Sequence, residues 1–168
     1  MALLYIFAGL PGVGKTTLAQ RLATAVEAAY VRVDTIEQAL RDLCGIAVEG
    51  EGYRLGYRVA SDNLHAGLSV VADSCNPWEL TRREWEDVAT MANVDFVNVE
   101  VTCSDPVEHR RRVETRRASI PNLQLPTWAQ VQARDYHDWT VPRITLDTAA
   151  CTPDESFAQL QSKLQARQ

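Results

Sequence analysis

Short apolar runs alternate with amphipathic stretches along the whole chain, and their order predicts an α/β domain. Residues 2–8 are almost uniformly apolar, which reads as a strand buried on both faces. Residues 15–28 place Leu18, Leu22 and Val26 four apart, on one stripe of a helix. Residues 30–34 read as a second strand ending on a carboxylate, 35–43 as a short helix stopping near Gly45, 49–52 as a loop and 53–66 as a helix. Residues 68–73 form a third strand, again ending on Asp, and 81–91 a helix with Trp85 and Val88 on one side. A fourth strand over 95–101, a helix over 105–117, a loop over 121–126, a helix over 127–137 and a fifth strand over 143–147 follow. Thr152, Pro153, Asp154 and Glu155 spell a capping box with Pro at the first helical position, opening a last helix. Strand–helix alternation of this kind predicts one domain over residues 1–168, with a five-stranded, mainly parallel sheet and helices on both faces.

The turn after the first strand changes the picture from fold to chemistry. Gly9, Leu10, Pro11, Gly12, Val13, Gly14, Lys15, Thr16 and Thr17 have the G-x-x-x-x-G-K-T spacing of a phosphate-binding P-loop, in the strand–loop–helix context that gives the motif meaning. The glycines allow a tight turn that aims backbone N–H groups at a polyphosphate. Lys15 brings a cation to the β- and γ-phosphates, the Thr16 hydroxyl is placed to ligate Mg²⁺, and the helix that follows adds its positive dipole end. The expected fold is therefore a P-loop NTPase fold, with ATP and Mg²⁺ as its ligands.

In a parallel sheet, ligands gather outside the carboxyl ends of the strands, which brings Asp34 and Asp73 to the P-loop edge. Asp34 is expected to act as general base on an acceptor hydroxyl, although the same residue could cap the following helix. Asp73 closes an apolar run in the manner of a Walker-B element, which assigns it to Mg²⁺ or to substrate binding together with Asn76 in the polar loop that follows. Among the arginines of 110–117, Arg112 and Arg116 lie four apart and are expected to share one helix face, suited to charge on a transferring phosphoryl group. Residues 105–137 then form a helical lid. Trp128, Tyr136 and Trp139 are expected in the core, with an aromatic face for a ligand as the lesser alternative.

Charge and composition narrow the partners. The 168 residues carry a net charge of −5, which argues against general affinity for duplex nucleic acid. Cys44, Cys75, Cys103 and Cys151 are scattered, and with His65, His109 and His137 they make no zinc spacing. Free thiols point to a reducing cytoplasm. No signal peptide is expected, and no apolar stretch of about 20 residues could span a membrane. Asp42, Leu43, Cys44 and Gly45 spell D-x-x-G but fall in a helical pattern, and no N-K-x-D element for guanine occurs.

The P-loop, the segment Val31-Arg32-Val33-Asp34-Thr35, and Asp73-Ser74-Cys75-Asn76-Pro77 with Arg82, Arg83 and Trp85 together resemble the polynucleotide-kinase-like P-loop kinases, the AAA_33-type ATP-binding proteins. These border on zeta-toxin and on gluconate and adenylylsulfate kinases. The resemblance runs from residue 2 to about 147. It implies that Asp34 is the catalytic base, that Arg112 and Arg116 are the paired lid arginines, and that Asp73 takes part in acceptor binding. One departure is plain: polynucleotide kinases often carry an arginine three residues after the base, and here that position is Glu37, with Arg41 one turn later. The acceptor expected on these grounds is a small molecule with a hydroxyl. A nucleic-acid 5′-hydroxyl is the second choice, then a sugar nucleotide as for zeta toxins, and a nucleotide-dependent switch is the rival from outside the kinases.

Overall fold

The apolar run at the start of the chain becomes the central strand, because only the centre of the sheet can bury both of its faces. In the computed structural model, which describes residues 2–167, the elements follow as β1 (Leu3–Ala8), α1 (Lys15–Ala25), β2 (Ala29–Arg32), α2 (Val33–Cys44), α3 (Glu51–His65), β3 (Val70–Asp73), α4 (Glu79–Met91), β4 (Asp95–Thr102), α5 (Pro106–Thr115), α6 (Trp128–Gln132), β5 (Ile144–Asp147) and α7 (Pro153–Gln165). The sheet order is β2-β3-β1-β4-β5, and every neighbouring pair is parallel. Alternate residues of β1 serve opposite faces. Tyr5 and Phe7 pack with Leu18 and Leu22 of α1 and Leu160 of α7, while Leu4 and Ile6 pack with Ala60 and Leu64 of α3 and Trp85 of α4.

The register fixes where a ligand can sit. Phe7 pairs with Asp73, which also pairs with Arg32, so the P-loop, β3 and β2 finish at one edge. The chain leaves β1 for β2, returns to β3 on one side of β1, then crosses to β4 on the other. That reversal opens a crevice at the carboxyl end of β1. Among the described residues no helix is long and apolar enough to cross a membrane.

Several element ends differ from expectation. β2 stops at Arg32, and Asp34 lies in the first turn of α2 rather than at a strand end. Val33 is drawn into the core at 2% exposure, and a carboxylate in a first helical turn suits the dipole. Val26 falls beyond α1 and is exposed, because a Schellman turn with Glu27 at φ 51° and an Ala28 N–H to Ala23 carbonyl bond closes the helix early. α5 stops at Thr115, so Arg116 has extended backbone (φ −66°, ψ 150°) and does not share a helix face with Arg112. α6 ends at Gln132 rather than 137, because the chain beyond is held by Arg82 of α4, which donates to the His137 and Asp138 carbonyls. The last helix opens on the Thr152–Glu155 capping box, with Pro153 at its first position.

Candidate active site

The P-loop wraps the N-terminus of α1 and is packed closely from outside. Gly9 and Gly12 both have positive φ, 145° and 89°. A side chain at Gly9 would run into the Val101 carbonyl of β4, and one at Gly12 would meet the Val113 methyl of α5. Among the described residues α1 has no side-chain cap, which leaves its first N–H groups to an anionic ligand. A polyphosphate fits this cradle.

Lys15 is held at the loop's end by a buried ion pair. Its Nζ lies 2.9 Å from Asp73 Oδ1, and the Tyr30 hydroxyl donates to Asp73 Oδ2 at 2.6 Å. Burial is the largest influence and opposes charge on both partners. The partner's charge, together with the hydrogen bonds and the other neighbours, outweighs it, Asp34 helping Lys15 and the Tyr30 and Thr16 hydroxyls helping Asp73. The Lys15 ammonium is raised above its ordinary value and the Asp73 carboxyl lowered below its own. Burial, then the neighbouring Asp73 charge, pushes the Tyr30 phenol up, so it stays a donor. The Thr16 hydroxyl also bears on Asp73. A hydroxyl and a carboxylate side by side are hard oxygen donors of the kind Mg²⁺ takes. Among the described residues no larger cluster of metal-ligating side chains occurs.

A cleft of about 1060 Å³ opens above the P-loop, walled by α2, α5, the 116–126 segment and Arg134. Its basic side chains, Lys15, Arg32, Arg41, Arg111, Arg112, Arg116, Arg117 and Arg134, outnumber its acidic ones, Asp34, Glu37 and Glu108. The lining is therefore positive although the chain as a whole carries −5. Asp34 is half-exposed, with Arg32 at 3.9 Å, and its charge reaches both Lys15 and Arg116. Arg116 turns into the cleft; its Nε is buried without a partner, and burial lowers its pKa against the pull of Asp34. Arg112 also lines the cleft, but its guanidinium is engaged. It donates to Thr148 Oγ1 (2.8 Å), the Thr148 carbonyl (2.9 Å) and Glu108 (2.6 Å). The Thr148 hydroxyl in turn donates to the Val13 carbonyl at 2.8 Å, which ties α5 to the P-loop.

Asn76 does not line the cleft. It is fully buried with φ 46°, and its side-chain amide donates to the Phe7 carbonyl at 2.8 Å, so it braces the β3 loop beneath β1. Sequence reasoning missed several residues at the site. Arg32 and Tyr30 sit on β2, Cys75 follows β3 and Arg134 follows α6; Arg32 and Cys75 lie in segments that carry the resemblance but had no role assigned, and no motif marks Tyr30 or Arg134. His109 was also missed: its Nε2 bonds the Pro11 carbonyl at 2.8 Å while its ring meets Trp128 edge-on at 5.1 Å. The aromatic group is neither fully buried core nor cleft wall. Tyr136 and Trp139 flank the Arg82 guanidinium, with centroids 4.9 and 4.1 Å away.

Residues 4–137 match the AAA_33 family model, described as an AAA domain, and the chain belongs to that family. No curated protein matches the sequence. Among solved structures, the APS kinase of Mycobacterium tuberculosis in complex with AMPPNP and APS is 20% identical with a TM-score of 0.73, covering 98% of each chain. A sugar kinase from Janibacter is 14% identical with a TM-score of 0.67, covering 98% of this chain and 95% of that one. A gluconokinase from Sinorhizobium meliloti is 15% identical with a TM-score of 0.63, covering 97% and 95%. At these identities the likeness is one of fold: the chain has the single-domain α/β fold of P-loop kinases.

Proposed function

We propose that the chain is an ATP- and Mg²⁺-dependent phosphotransferase that moves the γ-phosphoryl group of ATP to a hydroxyl of a small molecule. The observation that carries this is the meeting of Lys15 and Asp34 in one cleft, a phosphate-binding cation facing a carboxylate that the acceptor can reach. The fold is one that kinases of APS and of gluconate also use.

In this reading the P-loop amides and Lys15 hold the β- and γ-phosphates, and Thr16 with Asp73 would hold Mg²⁺, which supplies charge neutralisation there. Lys15 exchanges its contact with Asp73 for the phosphates. Asp34 accepts the proton of the acceptor hydroxyl as the new O–Pγ bond forms and the bond from Pγ to the bridging oxygen of ADP breaks. Arg116 stabilises the charge on the transferring group, and Arg112 holds α5 in register with the P-loop. Water is kept out by the 116–126 segment closing over the cleft. The free thiols of Cys44, Cys75, Cys103 and Cys151 suit a reducing cytoplasm.

Asp34→Asn keeps the shape of the site and loses the base. Once an acceptor is found by screening hydroxyl compounds for accelerated ADP release, single-turnover transfer should fall roughly 10²–10⁴-fold in this variant, with Mg-ATP affinity near wild type. Equal transfer by wild type and variant would leave Asp34 as a helix-terminal charge only. ATP turnover that no hydroxyl compound accelerates would favour a nucleotide-dependent switch.

A further inference from the structure

We infer that His109 and Thr148, two side chains outside the P-loop motif, set the orientation of its peptide planes, so that the Gly12 and Gly14 amides already face the phosphate site before a ligand binds. This rests on the P-loop holding phosphates, as in the kinase reading, and names positioning residues for that site. Two carbonyls of the loop are held from outside by side chains. His109 Nε2 lies 2.8 Å from the Pro11 carbonyl. A carbonyl can only accept, so Nε2 carries the proton and donates it. The Thr148 hydroxyl donates to the Val13 carbonyl at 2.8 Å. No peptide bond among the described residues is cis, and in a trans peptide the C=O and the following N–H point in opposite directions. Holding the Pro11 carbonyl toward α5 therefore turns the Gly12 N–H away from α5. Holding the Val13 carbonyl toward Thr148 turns the Gly14 N–H away from Thr148. Both glycines have positive φ, 89° and 92°. A flip of the preceding peptide plane changes that φ, which glycine tolerates, so the loop's own backbone does not lock either amide.

Both ties are themselves held in place by α5 and its neighbours. Arg112 Nη1 donates to Thr148 Oγ1 at 2.8 Å, which directs the hydroxyl proton away from Arg112 and onto a carbonyl. Two carbonyls are in reach, Val13 at 2.8 Å and Thr102 at 3.0 Å, and that of Thr102 already accepts the Thr148 N–H. The nearer one, Val13, takes the proton. Glu108 accepts from Arg112 at 2.6 Å and, through its other oxygen, from the Ala150 N–H at 2.9 Å. A chain of bonds thus runs from Glu108 through Arg112 and Thr148 to the peptide that ends in the Gly14 N–H, and each link polarises the next. His109 lies three residues before Arg112, so the two share the face of α5 that meets the P-loop. Trp128 meets the His109 ring edge-on at 5.1 Å and fixes its plane. Amides oriented in advance need no rearrangement when a phosphate arrives, which favours binding.

The test uses the full chain and two probes, Mg²⁺-tripolyphosphate, which has no base or sugar, and Mg²⁺ with a non-hydrolysable ATP analogue. Affinities are measured by calorimetry, well below each protein's thermal midpoint, for wild type, Thr148→Val, Thr148→Ser, His109→Leu and His109→Gln. Thr148→Val and His109→Leu remove the donors, and each should weaken tripolyphosphate roughly tenfold. Thr148→Ser and His109→Gln keep a donor and should recover most of that loss. Amide NMR supplies a readout that a merely looser fold would not reproduce. In wild type, tripolyphosphate should shift the Gly12 and Gly14 N–H signals together. Thr148→Val should reduce the Gly14 response and spare that of Gly12, and His109→Leu should do the reverse. Should Thr148→Val fail to fold, Thr148→Ala against Thr148→Ser asks the same question, since those two differ in the hydroxyl alone. Affinity indifferent to the donors, a loss that Ser and Gln do not recover, or equal loss of both amide responses in either variant overturns the inference and leaves the kinase reading standing. A wild type that binds neither tripolyphosphate nor the analogue overturns both.

Discussion

Asp73 is 1% exposed, and its two carboxylate oxygens are taken by Lys15 and Tyr30, so the resting site stores a buried charge pair where phosphates are to bind. Breaking such a pair from one side leaves a buried carboxylate with only the Tyr30 hydroxyl and the more distant Arg32 guanidinium, 4.0 Å away. Lys15→Met is therefore expected to lower unfolding free energy by about 3–5 kcal/mol at pH 7, besides abolishing transfer. The pH dependence follows from the directions of the shifts. Asp73 has a folded pKa below its ordinary 3.8, so its contribution is present above 3.8 and is lost as pH falls through the lower folded value. Lys15 is raised above 10.5, so its contribution is present below 10.5 and is lost only as pH rises through the higher folded value. Between those limits the pair is intact. Urea unfolding of wild type and variant from pH 7 to pH 4 should show the deficit narrowing toward the acid end, because a protonated Asp73 no longer needs a cation. A deficit that is absent at pH 7, or constant with pH, would mean that the pair contributes nothing net.

At the scale of elements, a single buried arginine on α4 fastens two segments that run beside the cleft. Arg82 donates to the carbonyls of Asn76 (2.9 Å), Pro77 (3.1 Å), His137 (2.8 Å) and Asp138 (3.1 Å), and the His137 N–H returns a bond to Pro77 at 2.7 Å. The loop after β3 and the chain after α6 are thereby fastened together, and Arg134 is placed three residues before the fastening. Arg82→Met is expected to cost about 3 kcal/mol, since several buried carbonyls lose a charged donor at once. Amide exchange at His137 should accelerate with it; unchanged exchange and stability would show that the fastening is idle. This device also marks where the sequence stops being legible. Periodicity reports which face of a segment is apolar, and that sufficed for the existence of all five strands, while the glycine and lysine spacing marked the P-loop. It does not report that residues 133–137, helical by pattern, are pulled straight by an arginine some fifty positions earlier, or that Arg116 turns off the end of α5 into the cleft. Asp34 and Asp73 could be brought to the P-loop edge by the strand-end rule alone, and Arg112 by its helical spacing. Arg134 could not, because only tertiary packing brings it to the same cleft.

The whole molecule sets a positive cleft into a negatively charged body, and that contrast bears on what can bind. A net charge of −5 repels an extended polyanion at long range, while the cleft attracts a compact one that can enter it. Mg-ATP is such a ligand, and its binding must be coupled to global stability because the P-loop is wedged between β4, α5 and Thr148. Binding to the folded chain alone stabilises it by RT ln(1 + [L]/Kd), about 2.7 kcal/mol when ligand is a hundredfold above Kd. For a chain of this size that corresponds to a rise in Tm of roughly 5–10 °C. The rise should grow with the logarithm of ligand concentration, persist in Asp34→Asn, and vanish in Lys15→Met. Ionic strength separates the two classes of polyanion: in 0.15 M salt the Mg-ATP shift should remain while duplex DNA gives none, because a cleft-bound phosphate is screened far less than a backbone lying on an acidic surface. Stabilisation by DNA equal to that by Mg-ATP under those conditions would mean that the cationic lining extends to an outer surface. A wild-type Tm that does not move at millimolar Mg-ATP would remove the nucleotide from the site altogether.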